Sequence, residues 1–163
     1  MSTLKEFLYK VQKKVDKENR QEIDDMTSIL EGRKNVLNLK VLVCVDVSGS
    51  ISREQFCAFM RQIDKIRGLS QVKVLETDTK VVACYDYFKV NKSQVMRLGG
   101  GGGTDFVECF EVAKKAKPDV LVFATDGDDC GNCKNPGIPT AWVTTKHGHA
   151  PYDWGTVCTQ VDK

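Results

Sequence analysis

The chain has no charge excess of either sign. Its 24 basic and 22 acidic residues leave a formal charge of +2. That argues against wrapping nucleic acid electrostatically, because such domains carry a clear basic surplus. It also excludes an acidic disordered chain. No run approaches the 18 or so apolar residues of a transmembrane helix. The opening stretch, MSTLKEFLYKVQKKVDKENR, has neither an apolar h-region nor a cleavage signal, so it does not read as a secretory signal peptide. No HExxH zinc-protease motif, internal repeat or low-complexity segment is present, apart from one run of glycines. Seven cysteines, an odd number, fit free thiols better than a disulfide framework. The expected setting is a reducing cytoplasm, in a bacterial cell or a phage-infected host.

What is present suits one globular domain. The 163 residues are 41% apolar and 28% charged, enough to bury a full core without staples. Residues 1–38 form a charged helical segment and residues 39–163 the domain proper. In the first, Leu4, Phe7, Leu8, Val11 and Val15 follow helical spacing, and Thr3 with Glu6 reads as a capping box. Ile23, Met26, Ile29 and Leu30 make a second helix-spaced set, ending near Gly32. Packing against the following domain is the simpler role for this segment, and a partner-binding arm the sharper one.

The rest alternates strand and helix. LKVLVCVDV (39–47) and DVLVFATD (119–126) are continuous apolar runs, the mark of buried parallel strands. SREQFCAFMRQIDKIRG (52–68) reads as a helix capped by Ser52 with Gln55 and stopped by Gly68. QVKVLETD (71–78) and KVVACYDYF (80–88), separated by a very short link, should be antiparallel neighbours. Residues 91–98 suggest a short helix. Gly99 to Gly103 then lead to Thr104, the expected cap of a helix that Pro118 ends. AWVTT (141–145) and GTVCTQV (155–161) complete the set. This pattern predicts an α/β, Rossmann-like fold: a mostly parallel sheet with helices on both faces.

In such sheets ligands sit beyond the carboxyl ends of the strands. Three segments bring oxygen-bearing residues there: Asp46-Val47-Ser48-Gly49-Ser50, Thr104-Asp105 after the glycines, and Thr125-Asp126-Gly127. Asp46, Ser48, Ser50, Thr104 and Asp126 are small, hard oxygen donors. Together they supply part of an octahedron for Mg²⁺, which takes oxygens at about 2.0–2.1 Å and retains some waters. Asp46, Ser48 and Ser50 alternate across a strand-to-loop turn and can therefore converge.

In this order, DVSGS, GGGGTD and ATDGD resemble the metal-ion-dependent adhesion site of von Willebrand factor A (VWA) domains. The resemblance covers roughly residues 39–161, and the family's Asp-x-Ser-x-Ser, Thr and Asp fall on Asp46, Ser48, Ser50, Thr104 and Asp126. The sequence is also similar to the VWA-like domain at the C-terminal end of bacterial proteins classed as metallopeptidases. DxSGSIS, GGGTDF, PDVLVFATDG, Trp142 and Gly155 carry that likeness. A peptidase-like segment precedes the domain there. Only about 39 residues precede it here, so the peptidase activity does not carry over. The resemblance implies one antiparallel edge strand. It also implies a Mg²⁺ or Mn²⁺ ion that keeps much of its charge and captures an Asp or Glu carboxylate of a protein partner. That makes a binding module rather than an enzyme, with no membrane role.

Other features leave alternatives open. A metal-dependent hydrolase would need a general base, for which Asp105, Asp128, Asp129 or a histidine are candidates. A docking subunit would use the N-terminal helices. Asp105 either supports the metal indirectly or favours the helix dipole. The glycine run lacks the Walker pattern. Cys130 and Cys133 form a CxxC that reads as free loop thiols, a redox pair or, with His147 and His149, a zinc site. Cys44, Cys57, Cys84, Cys109 and Cys158 read as small core residues. Asp78 reads as a turn residue, Trp142 as core, and Trp154 as a loop anchor or partner contact.

Overall fold

The computed structural model describes residues 1–19, 37–87, 102–129 and 131–162. The chain runs α1 (Leu4–Asn19), β1 (Lys40–Asp46), α2 (Arg53–Asp64), β2 (Gln71–Thr77), β3 (Val81–Asp86), α3 (Val107–Ala116), β4 (Val120–Thr125), β5 (Thr140–Thr145) and β6 (Thr156–Val161). Among the described residues the strands form one sheet in the order β3-β2-β1-β4-β5-β6. β3 is the antiparallel edge, and every other pairing is parallel. The expected second N-terminal helix, the short helix at 91–98 and Gly99 to Gly101 lie outside the described residues.

Side chains alternate across the central strands, as a strand's period of two requires. Val41, Val43 and Val45 of β1, with Val120, Val122 and Ala124 of β4, enter one core with Phe56, Phe59 and Ile63 of α2. Leu42 and Cys44, with Leu121, Phe123 and Trp142, enter the other, beneath Phe106, Cys109, Phe110 and Ala113. The sheet is therefore buried on both faces at its centre, which is why β1 and β4 read as unbroken apolar runs. Phe123 centres an aromatic group, its ring 4.5 Å from Phe106 and 5.5 Å from Trp142.

Both capping boxes form. Thr3 Oγ1 accepts the Glu6 N–H at 3.2 Å while the Glu6 carboxylate accepts the Thr3 N–H at 3.0 Å. Ser52 and Gln55 do the same for α2. The apolar stripe of α1 is covered by its own domain: Leu4, Leu8 and Val11 are buried with Cys158 and Val161 of β6. Trp142 is core, its indole N–H donating to the Trp154 carbonyl at 2.8 Å. Trp154 is a loop anchor, stacked on Tyr152 with ring centroids 5.1 Å apart.

Two expectations fail. Thr104 does not cap α3, whose N-cap is Phe106 with no side-chain cap bond. The first amides are held instead by carboxylates: the Phe106 N–H by Asp129 at 3.2 Å and the Val107 N–H by Asp105 at 2.9 Å. Cys84 is exposed rather than core, because β3 is an edge strand. Cys57 is only partly buried, whereas Cys44, Cys109 and Cys158 are buried as expected.

Candidate functional site

The carboxyl ends of β1, β2 and β4 lie side by side, and β1 ends in Asp46 between Thr77 of β2 and Thr125 of β4. Asp46 is completely buried. Its Oδ1 accepts the Ser48 N–H at 2.9 Å, turning the chain back over the strand end. Its Oδ2 accepts the Thr125 hydroxyl at 2.7 Å. Thr125 Oγ1 in turn accepts the Gly127 N–H at 3.0 Å, so one hydroxyl ties the Asp46 carboxylate to the loop beyond β4.

The two serines converge, with Ser48 Oγ 3.1 Å from Ser50 Oγ. The glycine-rich segment closes over this turn. The Gly49 N–H donates to the Gly102 carbonyl at 3.3 Å, and the Asp105 N–H to the Asp78 carbonyl at 3.0 Å. Asp78 is a turn residue, its Oδ1 accepting the Thr79 and Lys80 amides. Thr104 lies between these two contacts and is buried. With the start of α3 held by Asp105 and Asp129, the Thr104 hydroxyl is not engaged in capping.

Asp126 follows directly on β4. Its carbonyl accepts the His149 N–H at 3.1 Å, and its Oδ1 accepts the Asp128 N–H at 3.2 Å. Gly127 takes a φ of +99°, and a Cβ there would run into the His149 carbonyl, so glycine is required. Burial pushes the Asp46 carboxyl above its ordinary range. Hydrogen bonds from Ser48 and Thr125 oppose that shift, and the negative charge of Asp126 adds to it. Asp46 and Ser48 are buried while Asp126 is half-buried and Ser50 exposed, so two carboxylates and two converging hydroxyls gather where buried strand end meets solvent, an arrangement that a hard divalent cation relieves. The structure brings the DxSxS turn, the Thr104 segment and the Asp126 turn to one end of the sheet.

The hydrolase and zinc readings find less. Both oxygens of Asp129 are engaged, Oδ1 by the Phe106 and Gly131 amides and Oδ2 by the Tyr152 hydroxyl. Asp105 Oδ1 holds the start of α3. Cys133 packs in the core under α3, where burial foremost, then the charges of Asp129 and Asp105, push its thiol up to about 12. His147 and His149 are exposed, and Cys130 lies outside the described residues. Among the described residues no three His, Cys, Asp or Glu side chains gather as a metal-holding group. The five-residue oxygen set has two carboxylates, Asp46 and Asp126, and its remaining donors are the hydroxyls of Ser48, Ser50 and Thr104.

Two roles at the site escaped the sequence reading. Thr125 is the direct anchor of Asp46; its signal is its position beside Asp126, on the same side of β4 as Leu121 and Phe123. Asp129 fastens the start of α3 from 23 residues away, and no local pattern announces it. A family model described as VWA-like domain (DUF2201) matches residues 41–160. No curated protein matches the chain.

Proposed function

Because the chain belongs to the VWA-like domain family, we propose that it is a metal-dependent protein-binding module with a site of the metal-ion-dependent adhesion type. Asp46, Ser48, Ser50, Thr104 and Asp126 would hold Mg²⁺ or Mn²⁺, and the site would capture an Asp or Glu side chain of a partner. The observation that carries this reading is the meeting of three distant segments around Asp46. The Ser48 and Ser50 hydroxyls are 3.1 Å apart, and Gly49 is tied to Gly102 beside Thr104.

The donor set fits the ion's chemistry, being all oxygen, compact and only partly anionic. When bound, the ion supplies a positive charge that a partner carboxylate can complete. The chain's own part is positioning. Thr125 and the Ser48 amide hold both Asp46 oxygens in place. Gly127 lets the Asp126 turn pass close to His149, and Asp129 fixes α3 and with it the segment carrying Thr104. In the N-terminal segment the α1 stripe is buried with β6, and residues 20–36, the rest of the docking-arm alternative, lie outside the described residues. Among the described residues no helix is long and apolar enough to cross a membrane. We place the module in the cytoplasm, a reducing setting in which its seven cysteines need form no permanent disulfide framework.

The test is binding of immobilised full-length chain to a peptide library in which each Asp or Glu peptide is paired with its Asn or Gln counterpart. Capture of acidic members in Mg²⁺, lost in chelator and absent for the amides, is the expected result. Capture that ignores both metal and carboxylate would overturn the reading.

A further inference from the structure

Cys44 and Cys109 have no part in the site described above, yet their placement is unusual. Both are completely buried, and their Sγ atoms are 2.8 Å apart. That is closer than sulfurs that merely touch, and roughly 0.8 Å longer than a disulfide bond. The two come from different elements. Cys44 lies in the middle of β1, flanked by Leu75 of β2 and Phe123 of β4. Cys109 is in the first turn of α3, which lies over that face of the sheet.

We propose that Cys44 and Cys109 are a disulfide-forming pair, a reversible covalent latch between β1 and α3. The chemistry is thiol–disulfide exchange with a low-molecular-weight disulfide, RSSR. The thiolate of one cysteine attacks RSSR, forming a mixed disulfide and releasing RS⁻, which takes up a proton. The thiolate of the second cysteine attacks the protein sulfur of that mixed disulfide, closing the Cys44–Cys109 bond and releasing a second RS⁻. Two protein thiols are oxidised, RSSR is reduced to two RSH, and the two protons lost by the cysteines end on the leaving thiols.

Burial sets the kinetics. The Cys44 thiol is held well above its ordinary range, first by burial and then by its hydrogen bond and proximity to Cys109. Neither sulfur is open to solvent, so exchange runs through lifting of α3 from the sheet, and the closed bond is shielded from reductant in the same way. The latch lies beneath the loop end of the sheet. β1 continues for two residues to Asp46, and α3 begins three residues after Thr104. The closed form therefore fixes these two segments relative to each other. The proposal rests on the sulfur geometry alone and stands whether or not a metal binds.

The experiment equilibrates the full-length chain in oxidised and reduced glutathione, then maps linked peptides by mass spectrometry without reduction. The expected result is a peptide pair joining Cys44 to Cys109. It should be accompanied by a fall of two in the seven thiols of the chain, a higher unfolding midpoint, and full reversal by dithiothreitol. Cys109→Ala should abolish the linked pair and the gain in midpoint together. The wild-type map decides the matter even if that variant fails to fold. All seven thiols persisting in oxidising buffer would overturn the proposal. So would oxidised protein whose links join other cysteines, such as Cys130 with Cys133, and leave Cys44 and Cys109 free.

Discussion

Replacing Thr125 with valine keeps nearly the same side-chain shape and deletes one hydroxyl. That hydroxyl donates to buried Asp46 Oδ2 at 2.7 Å and accepts the Gly127 N–H at 3.0 Å. Losing a hydrogen bond to a charged group costs about 1.5–3 kcal/mol, and an unsatisfied buried amide about 1–3 kcal/mol. The added methyl returns about 1 kcal/mol of apolar burial. The net loss is about 3 kcal/mol, which for a chain of this length lowers the melting midpoint by roughly 6–12 °C. Circular dichroism and calorimetry at neutral pH would read it. Thr125 is absent from the proposed donor set, so the variant keeps every donor and loses only the alignment of one; Mg²⁺ or Mn²⁺ affinity should fall about 10–100-fold rather than vanish. A midpoint lowered by less than about 2 °C, under 1 kcal/mol, would refute the idea that this hydroxyl anchors the site.

Three further outcomes follow from other contacts. Glu76 is buried on β2, and burial raises its carboxyl above the ordinary 4.5 although the Tyr85 hydroxyl bonds to it. Its contribution is fully present below about 4.5 and is lost as pH rises through the raised folded value. The midpoint of Glu76→Gln minus that of the parent should therefore move upward between pH 4 and 7; a difference that stays flat would contradict this. Gly127→Ala forces a side chain into φ +99° and against the His149 carbonyl. Strain of this kind costs about 1–3 kcal/mol before any clash, and urea midpoints should drop accordingly. Leu8→Ala opens a cavity where α1 meets the sheet and should cost about 2–5 kcal/mol by the same measurement. A neutral result would mean that α1 does not belong to this core.

The sequence showed the sheet well because its signals are local. β1 and β4 are apolar on both faces, and Ser52 with Gln55 marks the start of α2 within four residues. The short link before Lys80 required an antiparallel edge, and β3 supplies it. Signals were lost where distant segments compete for one group. Thr104 looks like a cap by its position, yet Asp129, 23 residues from Phe106, takes the amide next to the helix start. Cys84 follows the apolar alternation of a core strand, but nothing in the alternation says that β3 ends the sheet. Thr125 is ordinary as a strand residue, and only the register of β1 against β4 sets its hydroxyl on Asp46.

The central claim is that Asp46, Ser48, Ser50, Thr104 and Asp126 act as one cation site. Calorimetric titration of Mg²⁺ and Mn²⁺ into metal-stripped, full-length chain tests it directly, with Asp46→Ala and Thr104→Ala beside the parent. The account predicts one ion per chain for the parent and no measurable binding for either variant, with both variants still folded. Equal binding by all three proteins, or a folded parent that binds neither ion, would contradict it.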